Sequence, residues 1–126
     1  MIRICLEEQK GRLLLQLKGH AMGAAPGQDP VCAAASILTY TAAQFFSYLY
    51  AEGKLTDEPE LRLEKGDALL VATPVTEYFD EALHGLYVLS LGFGLLARQY
   101  PKQLRLRAFG RAETIWEKTA EEVNEQ

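Results

Sequence analysis

The segment from Gly19 to Ser36, GHAMGAAPGQDPVCAAAS, places one histidine twelve positions before one cysteine. A thiolate is a nucleophile and an imidazole is a base, so the pair is the minimum equipment for acyl transfer at a carbonyl. Asp29-Pro30 explains how the cysteine would be presented. Aspartate is a favoured helix N-cap, because its carboxylate accepts the first free amides. Proline is favoured at the first helical position and keeps the residue before it out of the helical region. Cys32 then becomes the third helical residue, where the helix dipole favours negative charge. Such positions lower a thiol pKa from about 8.5 to roughly 3.5–7.5. The same amides could serve as an oxyanion hole. Asp29, an anion near the sulfur, opposes the thiolate, so a cation must assist, and His20 is the candidate. Asp29 could cap the helix, accept a ring N–H of His20, or do both on diverging oxygens. Ser36 lies one turn beyond Cys32 on the same helix face. The competing reading is structural: free cysteine is among the most buried residue types, and a small-residue helix start packs tightly. A metal site is the weaker candidate, since no CxxC or HxxxH spacing accompanies His20, Asp29 and Cys32.

The elements that must position these groups follow from periodicity. Ile2, Ile4 and Leu6 alternate with polar partners, and Leu13, Leu15 and Leu17 answer them across Gln9-Lys10-Gly11, which predicts a hairpin. This register puts Cys5 with Arg3 and Glu7, away from the main core. The loop from Gly19 to Gln28 has no period; Gly23, Gly27 and Pro26 suit it to fold back. Val31, Ala34, Ala35, Leu38, Ala42, Phe45, Phe46 and Leu49 predict a helix from Pro30 to about Ala51, with Gly53 as its stop. Leu61 and Leu63, then Ala68 to Thr73, predict a second hairpin around Lys65-Gly66-Asp67. Thr76 is a candidate cap for a second helix whose apolar face includes Phe79, Leu83, Leu86, Tyr87, Leu91 and Leu95; Pro101 ends it. Leu104 and Leu106 alternate in a last strand. The order ββαββαβ, with adjacent strand pairs, predicts an α+β fold: a two-layer sandwich of a mostly antiparallel sheet with two helices on one face. Residues 1–111 are read as one domain and 112–126 as a charged tail, in which Trp116, Ala120 and Val123 could form one face of a short docking helix.

Composition narrows the function classes. The chain has 126 residues, 48% of them apolar, and a formal net charge of −4. That is enough for one core and argues against a general nucleic-acid binder, which needs a basic face. Two cysteines, Cys5 and Cys32, are too few for a bridged secreted domain. The start, MIRICLEEQKGR, lacks the apolar stretch of a signal peptide, and no apolar run approaches the roughly 20 residues of a membrane span. The expectation is a cytoplasmic protein with free thiols and no membrane contact. Among the remaining residues, His84 reads as packed or surface, Arg105, Arg107 and Arg111 as a solvated strand face, and Tyr40, Tyr48 and Tyr50 as packing, dimer-seam or groove residues. Gly92 and Gly94 cost helix stability, which close helix approach, perhaps across a dimer, or simple tolerance would explain.

The pattern GHA, followed by G-x-D-x-V-C-A-A-x-S with twelve positions from His to Cys, resembles the bacterial ribosomal-processing cysteine proteases. The leading hairpin, the first helix, Gly85-Leu86 and Tyr100-Pro101 extend the resemblance along nearly the whole chain. Members of that family are small homodimeric α+β proteins that remove the N-terminal extension of the twenty-seventh large-subunit ribosomal protein in Firmicutes and relatives. The resemblance implies Cys32 as nucleophile and His20 as general base, with Gly19 as a hinge beside the histidine and Asp29 and Ser36 as supporting site residues. It implies no cofactor, a basic ribosomal-protein peptide as substrate, a homodimer, and no direct contact with nucleic acid. Two alternatives stand beside it: a non-catalytic ribosome-associated binding module of the same fold, and a redox-sensing thiol protein in which Cys5 would be the resolving thiol.

Overall fold

The computed structural model describes residues 1–20 and 29–112. The expected fold-back of the loop carrying Gly23, Pro26 and Gly27, and the docking helix with Trp116, Ala120 and Val123, lie outside the described residues. Strands β1 (Ile2–Gln9) and β2 (Arg12–Lys18) form the first hairpin. Its two-residue turn, Lys10-Gly11, has both φ angles positive, the geometry that matches the twist of paired strands. Helix α1 (Pro30–Ala51) follows, then β3 (Glu60–Glu64) and β4 (Asp67–Ala72), α2 (Phe79–Gln99), β5 (Leu104–Ala108) and a two-residue β6 (Arg111–Ala112).

The six strands lie in the order β3-β4-β2-β1-β5-β6, and every pair is antiparallel except β1 with β5. Alternation along the strands sends Ile2, Ile4, Leu6, Leu13, Leu15, Leu17, Leu70, Leu104 and Leu106 to one face, where both helices cover them. Phe46 of α1 and Phe93 of α2 are fully buried between the layers; truncating such a side chain costs about 3–5 kcal/mol. The α+β sandwich and its ββαββαβ order are as the sequence predicts, with β6 added at the edge.

Helix α1 ends in a Schellman motif. The Gly53 amide donates to the Tyr50 carbonyl at 3.0 Å and the Lys54 amide to the Leu49 carbonyl at 2.9 Å, which satisfies carbonyls the helix leaves unpaired. The Lys54 ammonium then sits over the rings of Tyr48 and Tyr78, at 5.6 and 5.4 Å from their centroids, and pairs with Glu81 at 2.9 Å. Tyr48 is therefore occupied in joining the end of α1 to the start of α2.

Two expectations about α2 are corrected. Thr76 does not cap it: residues Thr76–Tyr78 form a single 3-10 turn, and α2 starts at Phe79 with no side-chain cap. The entry is set instead by the Val75 amide donating to the Lys54 carbonyl at 2.9 Å. The expected apolar face holds only in part: Leu86 is buried and Phe79 and Leu83 pack against the core, but the other three expected residues do not. Ala82, Leu86, Ser90, Phe93, Gly94 and Ala97 point inward, while Tyr87, Leu91 and Leu95 are exposed. The reason is close packing against α1. A Cβ at Gly85 would fall inside the Phe45 ring, and one at Gly92 would crowd Leu38. The small face allows that approach, so Gly92 serves packing within the chain.

Candidate active site

The start of α1 is built as its sequence implies. Asp29 is the N-cap in extended conformation, and its Oδ1 accepts from the amides of Val31 at 2.7 Å and Cys32 at 3.3 Å. Pro30 has no amide hydrogen, and the Ala33 amide donates to the Asp29 carbonyl at 3.0 Å. Every first-turn donor is therefore committed. The expectation that these amides form an oxyanion hole is corrected: the cap consumes them. Asp29 is only 7% exposed, and its second oxygen, Oδ2, is buried with no hydrogen-bond partner among the described residues. A buried acceptor in that position calls for a donor.

His20 is exposed, two residues past the end of β2, and its main chain is held from two sides. The Met1 ammonium donates to its carbonyl at 2.7 Å, and the preceding Gly19 amide donates to the Gly66 carbonyl at 2.9 Å. Gly19 has φ +98°, and a Cβ there would collide with the Met1 carbonyl oxygen, so only glycine fits. The His20 ring lies directly over Gly66 in the β3–β4 turn, in the space a Cβ of Gly66 would need. That turn is tied down in its own right. Asp67 takes Lys18 at 2.8 Å and Arg62 at 2.6 Å. Hydrogen bonds from Lys18 and then Arg62 hold the Asp67 carboxyl below the usual range.

All five residues singled out from the sequence line one cleft of about 360 Å³. Cys32, Ser36 and Asp29 come from α1 and its cap; Gly19 and His20 come from the end of β2. Cys32 is half-buried, with its thiol free. Thr39 and Tyr40 continue the helix wall past Ser36, and Lys65 and Gly66 close the opposite side. The residues missed by sequence reasoning are Met1 and Gly66, the two supports of His20. Gly66 was legible as a turn residue, but nothing in its neighbourhood signalled the histidine above it.

Cys5 stands apart from this site. It lies on the outer face of the sheet and donates to Glu7 Oε1 at 3.0 Å. Burial, then the Glu7 hydrogen bond and charge, push its thiol up to about 12, against a lowering effect from Arg107. A thiol so held is a poor resolving partner, which weighs against the redox-sensing alternative. Among the described residues no three His, Cys, Asp or Glu side chains cluster as metal ligands, and no helix is long and apolar enough to cross a membrane.

A family model described as cysteine protease Prp matches residues 1–105. No curated protein matches the chain. Among solved structures, an essential ribosomal processing protease Prp from S. aureus in complex with a substrate peptide is 20% identical, with a TM-score of 0.60 over 86% of this chain and 99% of that one. The S. aureus protease with a covalently linked product peptide is 21% identical, with a TM-score of 0.62 and the same coverage of 86% and 99%. A Streptococcus mutans protein is 22% identical, with a TM-score of 0.60 over 86% of this chain and 94% of its own. At these identities the likeness is one of fold.

Proposed function

The chain belongs to the cysteine protease Prp family, and we propose that it removes the N-terminal extension of a large-subunit ribosomal protein, with Cys32 as nucleophile and His20 as general base. The observation that carries this reading is the convergence of His20, Asp29, Cys32 and Ser36 on one cleft from two separate elements. The S. aureus protease, whose fold this chain shares, has been solved with a substrate peptide and with a covalently linked product, which supports a peptide as substrate here.

In the proposed reaction the Cys32 sulfur attacks the scissile carbonyl carbon as a thiolate, with its proton on His20. The tetrahedral intermediate collapses as His20 protonates the departing amine, and the C–N bond breaks to leave a thioester. Water, deprotonated by His20, attacks the thioester; the thiolate leaves and the peptide departs as a carboxylic acid. Asp29 Oδ2 is the acceptor that would hold the other ring N–H of His20, while Oδ1 keeps the cap. Ser36, next along the helix wall, would hydrogen-bond within the occupied site, and Gly19 fixes where the histidine leaves the sheet. No cofactor enters these steps, and a cytoplasmic setting follows from a ribosomal substrate.

We also propose that the protein is a homodimer. Tyr87, Val88, Leu91 and Leu95 of α2 and Ile37 and Tyr40 of α1 are exposed on the helical layer, Ile37 to 63% and Leu95 to 56%. Apolar side chains gathered on one exposed layer mark an association surface.

The assignment is tested with peptides spanning the ribosomal protein's N-terminal extension. The protein is expected to cut them at one bond and Cys32→Ala to leave them intact. Cleavage that survives in Cys32→Ala removes the assignment. Binding of the peptide without cleavage by the unaltered chain favours the binding-module alternative.

A further inference from the structure

Among the described residues the sheet ends at β3 on one side and at β6 on the other, and only the β3 edge borders the cleft. Leu63, Glu64, Lys65 and Gly66 line that cleft together with Cys32. The ladder fixes which main-chain groups β3 turns outward, because hydrogen-bonded and non-hydrogen-bonded positions alternate along an antiparallel pair. The Gly19 amide donates to the Gly66 carbonyl at 2.9 Å, so Leu17 with Ala68 and Leu15 with Leu70 are the hydrogen-bonded positions between β2 and β4. Asp67, Leu69 and Val71 therefore turn their amides and carbonyls to β3, where they meet Glu64, Arg62 and Glu60. The amides and carbonyls of Leu61 and Leu63 are left facing away from the sheet.

The same two residues carry the apolar side of that edge. Leu61 pairs with Leu70 and Leu63 with Ala68, both on the helix side of the sheet, so the two leucines project to the side on which the cleft lies. Leu61 is 37% exposed and Leu63 is half-buried. The register with β4 runs unbroken through all five residues of β3, and neither a bulge nor a proline within the strand blunts the edge. A regular open edge takes an extended peptide by main-chain hydrogen bonding, and pockets for alternate side chains supply the specificity. The start of α1 cannot take that role, because its first-turn amides are committed to the Asp29 cap. On an added strand, a residue paired with Leu63 has its side chain on the same face as Leu63, towards the cleft wall made by Ser36 and Tyr40.

Resting on the reading of this cleft as a peptide-cutting site, we propose that the bound peptide adds to the open edge of β3 as a further strand, its main chain pairing with Leu61 and Leu63 and its alternate side chains turned into the cleft. Amide hydrogen exchange on Cys32→Ala, with the peptide spanning the ribosomal protein's N-terminal extension, reads this pairing directly. In the free protein the Leu61 and Leu63 amides are expected to exchange about tenfold or more faster than that of Arg62, which is bonded to β4. Saturating peptide should slow both by about tenfold or more and leave Arg62 nearly unchanged. The peptide should show the same period. N-methylation of one of its residues, and of the residue two positions along, should each weaken binding about tenfold, the order of one lost hydrogen bond, while the residue between them tolerates it. Leu61→Pro removes an outward amide that an edge strand can spare, and it should weaken binding more than Leu61→Ala does. Leu61 and Leu63 amides already protected in the free monomer overturn the proposal, because the chain itself then covers the edge. Protection in the free protein that disappears on dilution assigns the edge to a second copy and overturns it too. So do bound peptide that leaves both amides unprotected, N-methyl sensitivity without alternation, and failure of the peptide to bind. Protection of Leu61 and Leu63 by a peptide that the unaltered chain does not cut supports the added strand and removes the protease reading alone.

Discussion

Asp29 divides its work between two oxygens. Oδ1 holds the amides of Val31 and Cys32 and so sets the angle at which the thiol enters the cleft, while Oδ2 is buried without a partner among the described residues. The two tasks separate by substitution. Asn is as good an N-cap as Asp, so Asp29→Asn should leave thermal stability nearly unchanged, whereas Asp29→Ala should lose about 1 kcal/mol. If Oδ2 orients His20, Asp29→Asn puts an amide donor against the ring N–H, and kcat should fall about a hundredfold, the low end of what a correctly placed base contributes. Thermal denaturation read alongside peptide cleavage decides the matter: unchanged kcat in Asp29→Asn would make the residue a cap alone. The cap itself was legible in the sequence, because capping is a contact between residues two and three apart. The buried second oxygen was not, because its burial comes from elements distant in the chain.

The β3–β4 hairpin acts on the site as an element. Its turn carries Gly66 beneath the His20 ring, its Gly66 carbonyl accepts from Gly19, and Asp67 anchors it to Lys18 and Arg62. Gly66 has φ +71°, a left-handed conformation that costs a residue with a Cβ about 1–2 kcal/mol. Gly66→Ala should therefore cost stability of that order and, in addition, push the imidazole off its seat. The second effect is the diagnostic one. Cleavage should fall well beyond the change in folded fraction, and alkylation of Cys32 by a small electrophile should slow with it, because the displaced imidazole no longer holds the thiolate. Full activity in a folded Gly66→Ala variant would show that the ring does not need this seat. Helix α2 teaches a related lesson. Its sequence is apolar on most of its circumference, so periodicity placed Phe79, Leu83 and Leu86 correctly but also drew in Tyr87, Leu91 and Leu95, which packing leaves exposed. Packing selected the smaller face, because Gly85 and Gly92 let Phe45 and Leu38 of α1 come close.

For the whole molecule, the exposed large side chains of the helical layer are the clearest unspent feature. The helical layer exposes Tyr87, Val88, Leu91 and Leu95 on α2 and Ile37 and Tyr40 on α1, and Tyr40 also lines the cleft. If this layer is the dimer seam, Leu91→Glu with Leu95→Glu should yield a folded monomer by light scattering, where the unaltered chain has twice the mass of one chain. A monomeric unaltered chain would remove the dimer. The local grammar of the fold was available in advance: two alternating hairpins, a helix opened by Asp29-Pro30 and stopped at Gly53, a second stopped before Pro101, and a His–Cys motif of family spacing. Those features depend on neighbours a few residues apart, and side-chain periodicity, capping and turn chemistry encode them directly. The parallel pairing of β1 with β5, the inward face of α2, the seat of His20 on Gly66 and the convergence of two chain segments on one cleft depend on residues tens of positions apart. No local period records such contacts, and only the packed tertiary structure decides them.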